Sequence, residues 1–205
     1  MLGTEKIPMY FYLDPHASLI SYLGIPGDSS VATIMEPLGQ YALGMIGEGA
    51  AAVIGDNNTW FGSLQKISPT SGYWIILNVD ENMDTTIQYG LSALPTDPNI
   101  DYHLHERMNL ISYVGPNGVD LDAALPDDIE ENITSLIIDG YAAMRHPLNG
   151  NWVGSITEWN NFLFLSLNPN TDINSKLKQI DGLLPNFPYN KLVIPPDTQE
   201  YIINC

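Results

Sequence analysis

The sequence predicts a β-rich α+β protein built from two pseudo-repeat modules of antiparallel strands, each with one short helix. The first observation is an internal repeat, because Leu19-Ile20-Ser21-Tyr22 recurs 91 residues later as Leu110-Ile111-Ser112-Tyr113. Three further blocks recur in the same order at offsets of 91, 92 and 90 residues: 45–52 as 136–143, 60–64 as 152–156, and 74–78 as 164–168. The second observation is that short apolar and aromatic runs are separated by Gly, Pro and Asn turns, which is typical of strands. A repeat of this length indicates two small modules of one architecture.

The elements of the first module follow from local chemistry. Residues 9–13 and 18–23 are aromatic and aliphatic, and they predict strands around a turn at Pro15. Ser29 or Ser30 caps a short helix over residues 31–36, which Pro37 ends. The apolar run 42–54 contains three glycines, which disfavour a helix and indicate one bulged strand. A turn at residues 55–58 leads to strands at 60–64 and 73–78.

The second module repeats this order. Strands are predicted at residues 109–114, 133–143, 152–157 and 162–167, with a turn at 148–151. Asp120 or Asp122 caps the helix, which Pro126 interrupts. Residues 80–99 are acidic and polar with two prolines, as in a linker, although 86–88 suit a short strand. Apolar spacing predicts a helix at 172–184, before a proline-rich tail. The expected divisions are module 1 (1–79), linker (80–100), module 2 (101–170), and a C-terminal helix and tail (171–205).

Composition limits the classes of partner. The net charge is −17, yet only 15% of the residues are charged, against about 25% in an ordinary domain. Such a surface repels phosphate backbones, so we expect no nucleic-acid partner. No apolar run approaches the ~18 residues of a membrane span, and the N-terminal residues do not resemble a signal peptide. The lone cysteine, Cys205, excludes a disulfide within the chain.

Two groups of side chains have the spacing of cation ligands. Asp101, His103 and His105 alternate, so on a strand all three share one face and could bind zinc; a solvated strand edge is the alternative. Residues 80–84 place oxygen ligands at alternate positions, as at the start of a Ca²⁺ loop. The loop's required glycine and its final glutamate are replaced by Thr85 and Leu91. A flexible acidic linker is therefore the favoured interpretation, no cofactor is expected, and an irregular Ca²⁺ site is the alternative.

Recurring acids and aromatic residues are the other candidates. Glu48 and Asp139 each precede a glycine at equivalent positions, where they either accept hydrogen bonds from a ligand or tie down the backbone. Catalysis by two such carboxylates would require a separation of roughly 5–10 Å. Four aromatic side chains offer flat surfaces for sugar rings or, alternatively, belong to the core. They are Trp60, Trp152, Tyr73 and Trp74.

The repeated blocks together resemble a known type of module. The motifs are Leu-Ile-Ser, Ile-Gly-Glu-Gly-Ala-Ala, Trp-(Phe/Val)-Gly-Ser-(Leu/Ile) and Gly-Tyr-Trp. They are similar to a tandem module of secreted and surface-associated proteins of marine bacteria, over residues 10–78 and 101–168. The second copy departs from this pattern at Ile138 and at residues 162–164. The resemblance implies a non-catalytic surface or adhesive role, in a bacterial surface protein or a phage virion, and it transfers no site.

These observations predict a non-enzymatic structural or interaction protein. We expect a virion or cell-surface component, such as a decoration, adaptor or adhesion module, that self-assembles or joins a larger protein assembly. The alternative is a carbohydrate-binding module that uses the aromatic residues and paired acids. A hydrolase is the third hypothesis, and it depends on Glu48 and Asp139 acting as a catalytic pair.

Overall fold

The computed structural model describes residues 5–80, 82, 85–97, 99–114, 118–125, 130–138, 141–159, 162–167 and 173–175. Within these residues the chain is β-rich, with antiparallel sheets and short helices, which confirms the predicted β-rich α+β class. No helix in this part of the chain is long and apolar enough to cross a membrane.

The first half contains eight strands and one α-helix. In chain order they are β1 (Ile7–Leu13), β2 (Ala17–Ile20), β3 (Gly24–Ile25), α1 (Val31–Met35), β4 (Ala42–Gly47), β5 (Ala50–Ile54), β6 (Trp60–Gly62), β7 (Tyr73–Leu77) and β8 (Ile87–Pro95). Two short 3-10 segments, Glu36–Tyr41 and Asp56–Asn58, lie between them.

The second half follows the same order of elements with one additional short strand, Glu158–Trp159. They are β9 (Tyr102–Leu104), β10 (Arg107–Ser112), β11 (Val119–Asp120), α2 (Leu121–Ala124), β12 (Ile133–Ile138), β13 (Tyr141–Arg145), β14 (Trp152–Gly154), β15 (Glu158–Trp159), β16 (Phe162–Leu167) and β17 (Ile173–Ser175).

Each half is built around one five-stranded antiparallel sheet. The first sheet has the order β2-β7-β4-β5-β6, and the second has the order β10-β16-β12-β13-β14. The pairing matches in detail, since Met45 faces Ile75 in the first sheet while Leu136 faces Leu165 in the second. Each sheet also has an irregularity at the start of its third strand, between Ala42 and Gly44 and between Ile133 and Ser135. Residues at the repeat offset therefore occupy the same positions in two sheets of one topology.

The glycine of the Trp-x-Gly-Ser motif has one structural role in both sheets. Gly62 and Gly154 have φ of 140° and 154°, a region that favours glycine. A Cβ atom on either would lie 2.1 Å from the carbonyl oxygen of Ala51 or Ala142. The serine hydroxyls that follow accept hydrogen bonds from the backbone N–H groups of the same two alanines, at 3.3 and 3.1 Å. The motif therefore ends the pairing of the last strand in each sheet.

The apolar run 42–54 forms a hairpin and not the single bulged strand that we predicted. The chain reverses at Glu48 and Gly49, and Gly47 pairs with Ala50. Gly49 takes a φ of 65°, which a glycine adopts without strain. The equivalent run, 133–143, also divides into two strands, with Ile138 paired to Tyr141. The bulge does exist, but it lies at the start of the run.

The centre of the predicted linker, residues 87–95, is a strand of the first half. β8 pairs along its length with β1 and at its end with β3, and it buries Ile87, Tyr89 and Ala93. The expected helix at 172–184 begins as a strand, because Ile173 pairs with Leu104 in a small sheet of β17 and β9. Each five-stranded sheet is thus followed by a strand that pairs with the first strand of its own half. The rest of the predicted helix and the tail lie outside the described residues.

The predicted helix caps are confirmed. The Ser30 hydroxyl accepts a hydrogen bond from the Thr33 N–H, and the Asp120 carboxylate accepts one from the Asp122 N–H. The α-helix ends at Met35, just before Pro37 as predicted, and a 3-10 segment that is kinked at Gly39 follows it. Proline is compatible there because the first turn of a helix has no use for its missing N–H.

Each half has its own buried apolar cluster beneath its sheet. The fully buried members of the first include Leu13, Ile34, Met45 and Ile75, and those of the second include Ile133 and Leu136. Buried tyrosine hydroxyls are hydrogen-bonded, since Tyr89 donates to the Ile34 carbonyl at 2.7 Å and lies 3.2 Å from the Tyr22 hydroxyl. Burial raises the pKa of both tyrosines, so the hydroxyls stay protonated.

Candidate interaction site

Glu48 joins the two halves of the molecule. Its carboxylate stands at the tip of the β4–β5 hairpin, and Oε1 lies 2.5 Å from Nε2 of His105. The second oxygen, Oε2, accepts a hydrogen bond from the Leu110 N–H at 2.9 Å. Both partners belong to the second half, so this candidate ligand residue is used within the chain. The observed contacts agree with the interpretation that the acid ties down backbone.

His105 is held in place by its own turn. The Asn109 side chain is almost fully buried, accepts a hydrogen bond from the His105 N–H and donates one to the His105 carbonyl, both at 2.8 Å. The turn includes Arg107 at a φ of 73°. Nδ1 of the imidazole donates to the Glu106 carbonyl at 2.7 Å, which leaves Nε2 directed at Glu48.

The surroundings of His105 favour its protonated form. The Glu106 carbonyl is the largest cause of the raised pKa of His105, and the Glu48 carboxylate raises it further, while slight burial acts in the opposite direction. An imidazolium donates hydrogen bonds from both ring nitrogens, which matches a carbonyl on one side and a carboxylate on the other. The contact is therefore an ion pair whenever His105 is charged.

Backbone hydrogen bonds reinforce this junction along the edge of β10. The Gly72 N–H donates to the Leu110 carbonyl at 3.2 Å, and the Ser112 N–H donates to the Thr70 carbonyl at 3.0 Å. β10 is the edge strand of the second sheet, so the 70–72 segment and Glu48 together satisfy groups that an open edge would expose. The two sheets are thus joined by main-chain bonds as well as by a side chain.

Gly72 is required for this close approach. A Cβ atom at this position would lie 2.9 Å from Cδ1 of Leu110 and 3.4 Å from the Ile111 carbonyl oxygen. Leu110 is buried, so its side chain has little room to move. At the repeat-equivalent position the second module has Phe162. The contact surface of the first module is therefore not reproduced in the sequence of the second.

The predicted cation ligands are not gathered into a site in the described part of the chain. Asp101, His103 and His105 are exposed along β9 and its flanks, and His105 contacts Glu48. No group of three His, Cys, Asp or Glu side chains among the described residues is close enough to hold a metal ion. The Ca²⁺ hypothesis falls largely on Glu81, Met83 and Asp84, which lie outside these residues.

The aromatic candidates are mostly parts of the core. Trp60 and Trp152 are half-buried against the two apolar clusters, and the Trp152 indole N–H donates to Glu130 at 3.0 Å. Tyr73 is buried, and its hydroxyl accepts a hydrogen bond from the Ser68 N–H. Trp74 is different, because it is half-buried on the side of the first sheet that faces away from the cluster. Asp139, the repeat equivalent of Glu48, lies outside the described residues.

The sides of the sheets that face away from the clusters are apolar and exposed. We define the outer face of the first sheet as Ile46, Val53, Phe61, Trp74 and Ile76, and the outer face of the second sheet as Ile137, Met144 and Val153. Ile46 and Ile137 are 44% and 40% exposed, Val53 and Met144 54% and 64%, and Phe61 and Val153 57% and 60%. None of these residues is charged, although the chain carries 24 acids. Exposed apolar groups thus occupy the same register positions in both sheets.

Sequence reasoning missed both features, although a signal existed for one of them. The signal was for the outer faces. Along the strands, apolar residues occur at successive positions and therefore on both sides of each sheet, which indicates that both sides are covered in the functional protein. The Glu48–His105 pair left no sequence signal, because it depends on how the halves are placed.

Comparison of the chain with models of protein families, with curated proteins and with solved structures finds no match.

Proposed function

We propose that this protein is a non-enzymatic structural or interaction subunit of a virion or cell-surface assembly, in a decoration, adaptor or adhesion role. The observation that carries the proposal is the pair of matching, uncharged outer faces, on which the three equivalent pairs of apolar residues are 40% to 64% exposed. Contiguous exposed apolar groups on a folded protein mark surfaces that bind other proteins. Aromatic and aliphatic side chains of this kind form the centres of such interfaces.

The rest of the surface supports specific association. With a net charge of −17, copies of the chain repel one another except where a surface lacks charge. The outer faces are such surfaces. Two sheets of one topology in one chain also offer near-equivalent binding positions, which suits a subunit that meets repeated partners in a symmetric assembly.

The junction between the halves supports a structural role as well. Two backbone hydrogen bonds and the Glu48 contacts fix the first half against the edge of β10. A fixed relationship between the two outer faces lets one chain present them to a partner without the entropic cost of ordering two separate domains.

The test is the native mass of the full chain by light scattering on a sizing column, followed by electron microscopy of the peak. We expect defined oligomers or filaments. Phe61→Glu, which places a charge on the outer face of the first sheet, should reduce the mass. The matched control is Gln88→Glu, which adds the same charge at an exposed position on β8 and should leave the mass unchanged. A single-chain mass at every concentration would contradict self-assembly.

A carbohydrate-binding role is the second candidate, and Trp74 is the observation that favours it. It stands opposite Ile46 on the outer face of the first sheet, where a sugar ring could stack on it. Titration of the protein with a glycan panel tests this role through tryptophan fluorescence. A saturable change that is absent in Trp74→Ala supports binding, and an unchanged spectrum across the panel contradicts it.

A further inference from the structure

The outer face of the second sheet has a candidate occupant in the chain itself. β17 ends at Ser175, and the segment 176–205 follows it; we call these 30 residues the C-terminal segment. β17 pairs with β9, so the segment starts from the second half of the molecule. An extended chain of this length reaches roughly 100 Å, which is several times the radius of a domain of this size. The length of the segment therefore permits it to cross any face of the second half.

The C-terminal segment has no net charge, so the acidic remainder of the chain does not repel it. It contains Lys176, Lys178 and Lys191, three of the seven basic residues in the chain, against three acids. The segment is therefore neutral, and residues 1–175 carry the whole net charge of −17. A neutral segment can approach this surface without the repulsion that a second copy of the chain would meet.

The composition of the C-terminal segment requires apolar cover. Twelve of its residues are large and apolar: Leu177, Ile180, Leu183, Leu184, Phe187, Tyr189, Leu192, Val193, Ile194, Tyr201, Ile202 and Ile203. Side chains of this kind leave water when an apolar surface is at hand. Its four prolines lie between residues 185 and 196 and have no N–H to donate, so this stretch is better suited to packing across a sheet than to adding a strand to it.

We propose that the C-terminal segment lies across the outer face of the second sheet of its own chain and contacts Ile137, Met144 and Val153. The segment covers this face because it begins in the same half. The outer face of the first sheet is then the one left open to a partner. This division rests on the proposed function in that it takes the outer faces as binding surfaces, but the contact itself requires no partner.

The lone cysteine makes the contact testable in the full chain. Cys205 is labelled with a maleimide that carries a benzophenone, and the protein is irradiated at a dilution where chains rarely meet. A second label position, Leu192→Cys in a Cys205→Ser background, samples the middle of the segment. Digestion after acidic residues and mass spectrometry then map the products. We expect cross-links within one chain to the β12–β14 strands from at least one label position.

Matched variants separate a docked segment from random encounters. Met144→Glu puts a charge in the centre of the outer face of the second sheet and should abolish the cross-link. Val53→Glu makes the same change at the equivalent position of the first sheet and should leave it intact. Both side chains are largely exposed, so the substitutions spare the cores, and circular dichroism verifies the fold.

Three outcomes would overturn the proposal: cross-links mainly to the first sheet or between chains, an undiminished cross-link in Met144→Glu, or no cross-link to the second half from either position. Native mass is measured on each labelled preparation before it is diluted for cross-linking, so the two ideas fail separately. A monomer with the expected cross-link keeps this contact and counts against self-assembly, whereas an oligomer without it does the reverse.

Discussion

Glu48 and His105 are 57 residues apart in the chain, yet their side chains meet across the junction of the two sheets. The same carboxylate accepts the N–H of Leu110, so one side chain satisfies a charged group and an edge-strand donor together. The ion pair is accessible to water, with side chains 39% and 59% exposed for Glu48 and His105. Its contribution to stability is consequently modest and depends on pH.

The pH dependence of stability follows from the raised pKa of His105. The pKa of His105 is higher in the folded protein than in the unfolded chain, where it is about 6.5, so protonation stabilises the fold. This stabilisation is fully present at pH values below the unfolded-state pKa. It disappears as the pH rises through the folded-state pKa. We expect His105→Gln to destabilise the protein at pH 6 by less than about 1 kcal/mol, as for other exposed pairs. At pH 9 the difference should vanish. Thermal unfolding of both proteins across this range measures the effect.

A double-mutant cycle identifies the partner responsible. In a Glu48→Gln background, His105→Gln should lower the free energy of unfolding by less than it does in the native sequence, because the contact with the Glu48 carboxylate is already gone. The contribution of the Glu106 carbonyl should remain. If the two substitutions are additive at pH 6, the ion pair contributes nothing, and the junction depends on its other hydrogen bonds, which include the one from the Leu110 N–H to Glu48.

The glycines of the Trp-x-Gly-Ser motif should not tolerate a side chain. Gly62→Ala and Gly154→Ala each place a Cβ atom 2.1 Å from a carbonyl oxygen at a φ that L-residues rarely adopt. We expect each to lower the free energy of unfolding by at least about 2 kcal/mol. Gly27→Ala is the control, because a Cβ atom there meets nothing within 4 Å. Urea denaturation compares the three, and equal stability of all three variants would contradict the close approach of these glycines to the neighbouring strand.

Much of the fold could be predicted from local chemistry. The capping side chains Ser30 and Asp120 indicated both helices, and the recurring blocks marked the strands of both sheets. The β4–β5 hairpin was missed because both of its strands are apolar on both sides. The alternation of polar and apolar residues that separates two strands is therefore absent, and the run resembled one long strand. Only the start of β8 was predicted, as a short strand at 86–88 within a linker. Its full length was hidden by the acidic residues and prolines around it, although Ile87, Tyr89 and Ala93 alternate as a half-buried strand requires.

The candidate site was less accessible to sequence reasoning. Glu48 was identified as a recurring acid, but its partners His105 and Leu110 come from the other half of the chain. No local pattern encodes such a contact, because it depends on how two separately folded sheets are placed. The metal site suggested by Asp101, His103 and His105 shows the converse. Their alternation is a local pattern that places three side chains on one face of a strand, but it does not bring in ligands from another element to complete a site.

Buried and exposed side chains alternate along β12, so substitutions at the adjacent residues Leu136 and Ile137 should have very different effects on stability. Leu136 is fully buried in the second cluster, whereas Ile137 is 40% exposed on the outer face of the second sheet. Leu136→Ala should lower the free energy of unfolding by about 2–5 kcal/mol through loss of burial and a residual cavity. Ile137→Ala should lower it by less than about 1 kcal/mol. Urea denaturation of the two variants is the measurement, and a reversed order would show that the strand register is wrong.

The junction can be loosened from the side of the first module without touching either core. Gly72→Ala puts a Cβ atom 2.9 Å from the packed side chain of Leu110, so the 70–72 segment must move away from β10. Overpacking of this kind costs about 1–3 kcal/mol, and the Gly72–Leu110 and Ser112–Thr70 hydrogen bonds should weaken together. Amide hydrogen exchange should therefore speed up at Ser112, while Ile75 and Leu136 in the sheet centres keep their protection. Unchanged exchange at Ser112 would mean that the halves are held together by something other than this edge.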